Sequence, residues 1–294
     1  MAGGGGTVIP CVWDFIGLML PSSDSGSSPL RREGSMRRKA FNVVLGLLVL
    51  ASAIQWWVVV TPVLVWLPDG FVNDFFSSRV DDFAIHRIHR LALALSHVMV
   101  LVGLAIQFHR PENKEAPMWQ ASAFFGAAIV INLIIGPTAE QVPPPLWIIF
   151  GVGVLAGVLH PTSPFLRPPQ PVDRRLLALT TVVAVPVLLY VVDQLGLQIS
   201  GVEADPHWAG SHYQFAGEFG IHLILLGLVS STAFTGRRVT AWMAGLSALL
   251  MGVASVVFPD QASSPGIVWG AALAAWGVVF ILTSEWLAGD YRAP

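Results

Sequence analysis

The sequence predicts an all-α integral membrane protein: eight transmembrane helices in two tandem, parallel four-helix repeats. Composition, run length and an internal duplication carry that prediction. Over 294 residues, 54% are hydrophobic and only 12% charged, about half the charged fraction of a typical soluble domain. The apolar runs are long and do not alternate, which selects helices over a closed barrel among the structures that satisfy their backbone inside hydrocarbon. The second half also repeats the first. Pro62-Val63-Leu64-Val65-Trp66, followed by Asp69, reappears 124 positions later as Pro186-Val187-Leu188-Leu189-Tyr190, followed by Asp193. Nearly the same offset carries His89 to His212, Trp119 to Trp242, Pro137 to Pro259 and Trp147 to Trp269. An even number of spans per copy keeps the copies parallel, so a pseudo-twofold axis along the membrane normal is expected.

Taken in order, residues 1–35 read as a disordered cytoplasmic tail, rich in Gly, Ser and Pro. Met36-Arg37-Arg38-Lys39, directly before a long apolar run, looks like the natural start of a membrane protein. The first repeat spans 36–165 and the second 166–294. Their apolar segments fall at 41–67, 88–108, 118–137, 145–160, 175–197, 213–235, 239–258 and 264–286. Most are near the ~20 residues a span requires; the fourth is shorter and the first is long enough to tilt. Pro62 and Pro186 sit inside matching helices, where each removes a backbone hydrogen bond and bends its copy.

Positive charge sets the orientation. With a cytoplasmic amino terminus, 13 of the 16 Lys and Arg residues lie inside, and only Arg79, Arg87 and Arg90 lie outside. Both termini are then cytoplasmic and the protein is integral to the plasma membrane. A net charge of −2 argues against a nucleic-acid partner, and Cys11 alone excludes an intrachain disulfide or a CxxC centre. The partners expected are the lipid bilayer and subunits of a membrane complex.

The histidines gather on the outer side. His86, His89, His207 and His212 fall at the outer face, whereas His109 and His160 read as headgroup-level residues inside. His97 and His222 lie within the second and sixth helices at matched depth. His86 and His97 are eleven apart and share a helix face, and Glu218 and His222, four apart, share another. A carboxylate inside a span is costly unless it faces protein or water, so Glu218 marks function.

His97 and His222 are therefore the candidate cofactor ligands. His89, His212 and Glu218 are the candidate metal ligands, with His86, His207, Asp69 and Asp193 in support. Blander readings stand beside these. A membrane histidine commonly serves as an interhelical hydrogen-bond partner. His86, Arg87, His89 and Arg90 can form a basic cap against lipid phosphate, and Asp69 and Asp193 can pair with Arg87 or Arg90. Most tryptophans fall near span ends, as an aromatic belt does.

The chain has no P-loop, HExxH, GxSxG or dinucleotide fingerprint, and no lysine within a predicted span for a retinal Schiff base. Two neutral imidazoles at one depth suit the axial positions of a b-type haem; the His and Glu set suits a transition metal. A proton-coupled transporter and an accessory or assembly subunit of a respiratory complex are the alternatives. Eight spans in two four-helix repeats, with His97 and His222 on even-numbered helices, resembles the heme A synthase family. That resemblance implies further histidine ligands on the fourth and eighth helices. Here the fourth carries only His160, at its inner end, and the eighth carries none.

Overall fold

The structure is a computed structural model that describes residues 29–54, 61–67, 86–135, 144–162, 170–201 and 211–290. It is built of α-helices, in the order α1 (Pro29–Ile54), α2 (Arg87–Ala105), α3 (Glu115–Ile135), α4 (Pro144–Leu159), α5 (Arg174–Ser200), α6 (His212–Ser231), α7 (Arg237–Val257) and α8 (Gly266–Asp290). Six helices, α2, α3, α5, α6, α7 and α8, are long and apolar enough to cross a membrane. Helix α4 is shorter, at 16 residues. Helix α1 begins at Pro29, ahead of the boundary expected at residue 36, so its first turns take in residues assigned to the tail.

Boundaries follow local chemistry. Asp173 caps α5 by accepting from the backbone N–H of Arg175 at 2.9 Å and of Leu176 at 3.3 Å, two donors a helix start leaves open. Helix α6 ends at Ser231, short of the expected 235, because Thr232 pairs with Val172 in an isolated bridge. Asp173 N–H donates to Ser231 O at 2.7 Å and Ala233 N–H to Pro171 O at 2.9 Å. These bonds tie the start of α5 to the end of α6. Gly236, with φ of 76°, turns the chain into α7 in a conformation that glycine adopts without steric cost.

In each half the helices form a ring of neighbours: α1–α2–α3–α4 closing back on α1, and α5–α6–α7–α8 closing back on α5. The halves meet through α2 and α3 against α6 and α7. Helix α6 is central, with 67% of its apolar window buried, against 22% for α5 and for α8. The last two therefore turn Val182, Leu189, Val268 and Leu282 outward, as helices facing hydrocarbon do.

Lipid tails are as apolar as leucine, so close backbone approach has to hold such helices together. Between α7 and α8, a Cβ on Gly252 would lie 2.5 Å from Gly270 O; between α2 and α3, one on Gly103 would lie 2.6 Å from Pro117 O. Helix α2 serves two cores. Ile88, Leu91, Leu95 and Met99 pack with α5–α8, while Val100 and Leu104 pack with Phe41, Leu45, Met118 and Phe125 of the first half.

Candidate functional site: a histidine cluster at one end of the bundle

Helices α2 and α6 start at the same end of the bundle, which places the residues of their first turns side by side. His86 precedes α2, His89 follows one turn later on the same face, and His212 opens α6. One ring nitrogen from each of the three lies within 4.8 Å of those of the other two. The rings of His86 and His212 are 4.2 Å apart between centroids. Those of His89 and His212 are 5.3 Å apart and 21° from parallel. His89 is fully buried and His86 nearly so. Among the described residues this is the group of three or more His, Cys, Asp or Glu side chains that converges closely enough for a metal ion.

A directed relay supports the cluster from behind. Gln194 Nε2 donates to Asp193 Oδ2 at 3.0 Å, which leaves Gln194 Oε1 as an acceptor. The hydroxyl of Ser263 donates to that oxygen. Having used its one proton, the Ser263 hydroxyl accepts from His89 Nε2–H, 2.6 Å away. A carboxylate that only accepts thus sets the direction of every bond behind it. His89 is held with its proton on Nε2 and its lone pair on Nδ1, the orientation in which a second-shell bond presents a histidine to a metal. Ser263 sits in the turn between α7 and α8 with φ of 62°, and its carbonyl accepts from the Tyr190 hydroxyl at 2.9 Å.

The other expected site residues go elsewhere. Glu218 does not join the cluster. It is 7% exposed and faces protein, where Gln214 Nε2 donates to its Oε1 at 2.7 Å and Asn132 Nδ2 at 3.5 Å. Gln214 also donates to Asn132 Oδ1 at 3.1 Å, closing an amide–carboxylate network between α3 and α6. His97 Nδ1 donates to Leu93 O at 2.8 Å within its own helix. His222 Nε2 donates to Gln120 O on α3 at 3.1 Å. Both rings border Phe124, at 6.0 Å and 5.0 Å. His207 and Asp69 lie outside the described residues.

One of the blander expectations is corrected. Arg87 is no headgroup cap: it is 7% exposed, its guanidinium is bonded to the carbonyls of Val65 and Leu67 and lies 4.9 Å over the Phe258 ring. The carbonyls at the end of a helical stretch attract a cation there. His160 lies at the opposite end of the bundle and is fully buried, between Gln107 Oε1 at 3.2 Å and Thr162 Oγ1 at 2.8 Å. Gln107 is itself anchored on Gly103 O and Lys114 O.

Sequence reasoning missed Ser263, Gln194, Gln214 and Asn132. For the three amides a signal existed, since a polar amide within or bordering a predicted span needs a partner. For Ser263, in a turn among other small polar residues, there was none. No family model matches this chain, and no curated protein or solved structure is found to be similar to it.

Proposed function

We propose that this integral membrane protein holds a transition metal on His86, His89 and His212 and presents it at the outward face. The observation that carries the reading is the convergence of three imidazoles from both halves within 4.8 Å, with Nε2 of His89 bonded to the Asp193–Gln194–Ser263 relay. Tetrahedral zinc with bonds of ~2.0 Å places its nitrogen ligands roughly 3.3 Å apart. Small side-chain rotations bring the three rings to that spacing. An all-imidazole set suits zinc, copper, iron or nickel, and three protein ligands leave a position for water or substrate. The chemistry supported is Lewis-acid or redox work at the membrane surface.

The finer architecture belongs to the same reading. Two matching rings of four helices support tandem repeats related by an axis along the membrane normal, with eight spans once α1 and α4 are counted. Arg110, Lys114, Arg174, Arg175, Arg237 and Arg238 border helix ends opposite the histidine cluster. The positive-inside rule therefore supports an outward-facing cluster and cytoplasmic termini.

The test is metal titration of the full chain, stripped and purified in detergent, followed by calorimetry and elemental analysis. One equivalent of zinc or copper is expected, lost in His86→Ala, His89→Ala and His212→Ala. Stoichiometric binding that survives all three substitutions overturns the reading. A b-type haem on His97 and His222 ranks second, favoured by their common neighbour Phe124. Red protein whose Soret band disappears in His97→Ala or His222→Ala selects it. Colourless, metal-free protein would favour transport or an accessory role in a membrane complex.

A further inference from the structure

Inside the second ring of helices, a cavity of ≈720 Å³ lies between α5, α6, α7 and α8, within the ~300–1,000 Å³ range of small-molecule sites. Its walls are almost wholly apolar, among them Val183, Phe219, Leu223, Met251 and Trp276. Val182, Val185 and Leu189 of α5 line it and are also exposed on the bundle's perimeter, so it opens sideways between α5 and α8.

The cavity is polar at one end only. Tyr190 and Asp193 line it there, next to the turn that carries Ser263. From Val182 to Asp193 the lining of α5 runs eleven residue steps, or ~16 Å at 1.5 Å per residue. That matches one leaflet of a hydrocarbon core ~30 Å thick.

We infer that this cavity binds a single-chain neutral lipid with a hydroxyl-bearing head, a long-chain alcohol or quinol. Its chain enters from the leaflet on the histidine side, and its head lies at Asp193 and Tyr190. Length and side opening call for a membrane amphiphile, and the single polar end fixes which way it lies. Charge selects the head. Among the described residues lining the cavity there is no Lys or Arg to receive a phosphate, whereas Asp193 is an exposed carboxylate within a span. Its Oδ2 already accepts from Gln194 Nε2–H at 3.0 Å, and a carboxylate has further lone pairs to offer a second donor. A hydroxyl supplies one, and an anionic headgroup is repelled. The inference does not require a metal in the histidine cluster.

The experiment uses the full-length protein in nanodiscs, with a dibrominated long-chain alcohol and dibrominated phosphatidylglycerol as alternative quenchers of tryptophan fluorescence. Trp269 and Trp276 border the cavity and report its occupation. The alcohol is expected to quench saturably at a mole fraction about tenfold below that of the phospholipid, and unbrominated alcohol should reverse the quenching. Ala272→Phe, which fills the cavity from its exposed side, should abolish the saturable part, and Asp193→Asn should shrink the preference between probes. Quenching that rises linearly and equally with both lipids means ordinary boundary lipid and overturns the inference. Saturable quenching that survives Ala272→Phe overturns it too.

Discussion

Two groups of histidines, one at the end of the bundle and one in its middle, began from the same argument and reached different structures. His97 and His222 occupy equivalent depths on α2 and α6, yet each gives a ring nitrogen to a backbone carbonyl and both border Phe124. His86, His89 and His212 instead face one another. Equal depth fixes height along the axis, and rotation then decides what each ring meets. At the helix starts His86 and His89 are one turn apart on one face and meet His212, and Ser263 of the α7–α8 turn is bonded to His89. His222, bonded to a carbonyl of α3, ties two helices together, whereas His97 is bonded within its own helix. Histidines packed ring against ring are poised to share a ligand.

The comparison breaks most decisively on the ligands themselves. His89→Ala should weaken zinc binding by more than about 100-fold, since even second-shell losses cost 10–100-fold. His97→Ala should leave stoichiometry unchanged in the same calorimetric titration; equal losses in both would erase the distinction. Acid should act in the same direction. A protonated imidazole has no lone pair to give, so lowering pH should release the metal, read as zinc retained after gel filtration at each pH.

Next in size is stability. His222→Ala removes a buried hydrogen bond and a ring contact, an expected cost of about 1–3 kcal/mol, read as a lower midpoint of thermal unfolding in detergent with zinc stoichiometry intact. A loss of zinc with no change in midpoint would move His222 into the site. Ser263→Gly keeps a backbone tolerant of positive φ while deleting the hydroxyl that orients His89. It should weaken zinc about tenfold and leave the unfolding midpoint little changed. The smallest effect is Tyr190→Phe, which removes one bond to the Ser263 carbonyl and should cost ~1 kcal/mol in the same unfolding assay.

Most of the helical layout was legible because it rests on the length of apolar runs, which a bilayer dictates directly. Helices α2 to α8 begin and end within a few residues of the segments read from the sequence. The polar partnerships were not legible, because they depend on rotation and on chain returning from far away. Glu218 shares a face with His222 four positions on, yet its carboxylate joins Gln214 four positions back, where Asn132 of α3 closes the network. His160 follows the end of α4, and its partner Gln107 comes across from the 3₁₀ turn after α2. His86 and Arg87 read together as a cap, but adjacent residues on a helix point in different directions. One ring joins the histidine cluster while the neighbouring guanidinium caps the stretch before α2.

The position of Ser263 has a consequence for biogenesis. A ribosome delivering this chain places His86 and His89 in the membrane early, as a pair without a third ring. His212 arrives only when α6 inserts, and the hydroxyl that sets the His89 tautomer arrives later still, with the turn before α8. The site therefore closes only after both halves have been made and docked. On the metal reading proposed above, a nascent or misassembled chain presents two unoriented imidazoles, too few to hold a metal firmly, and metal loading would report that assembly is complete.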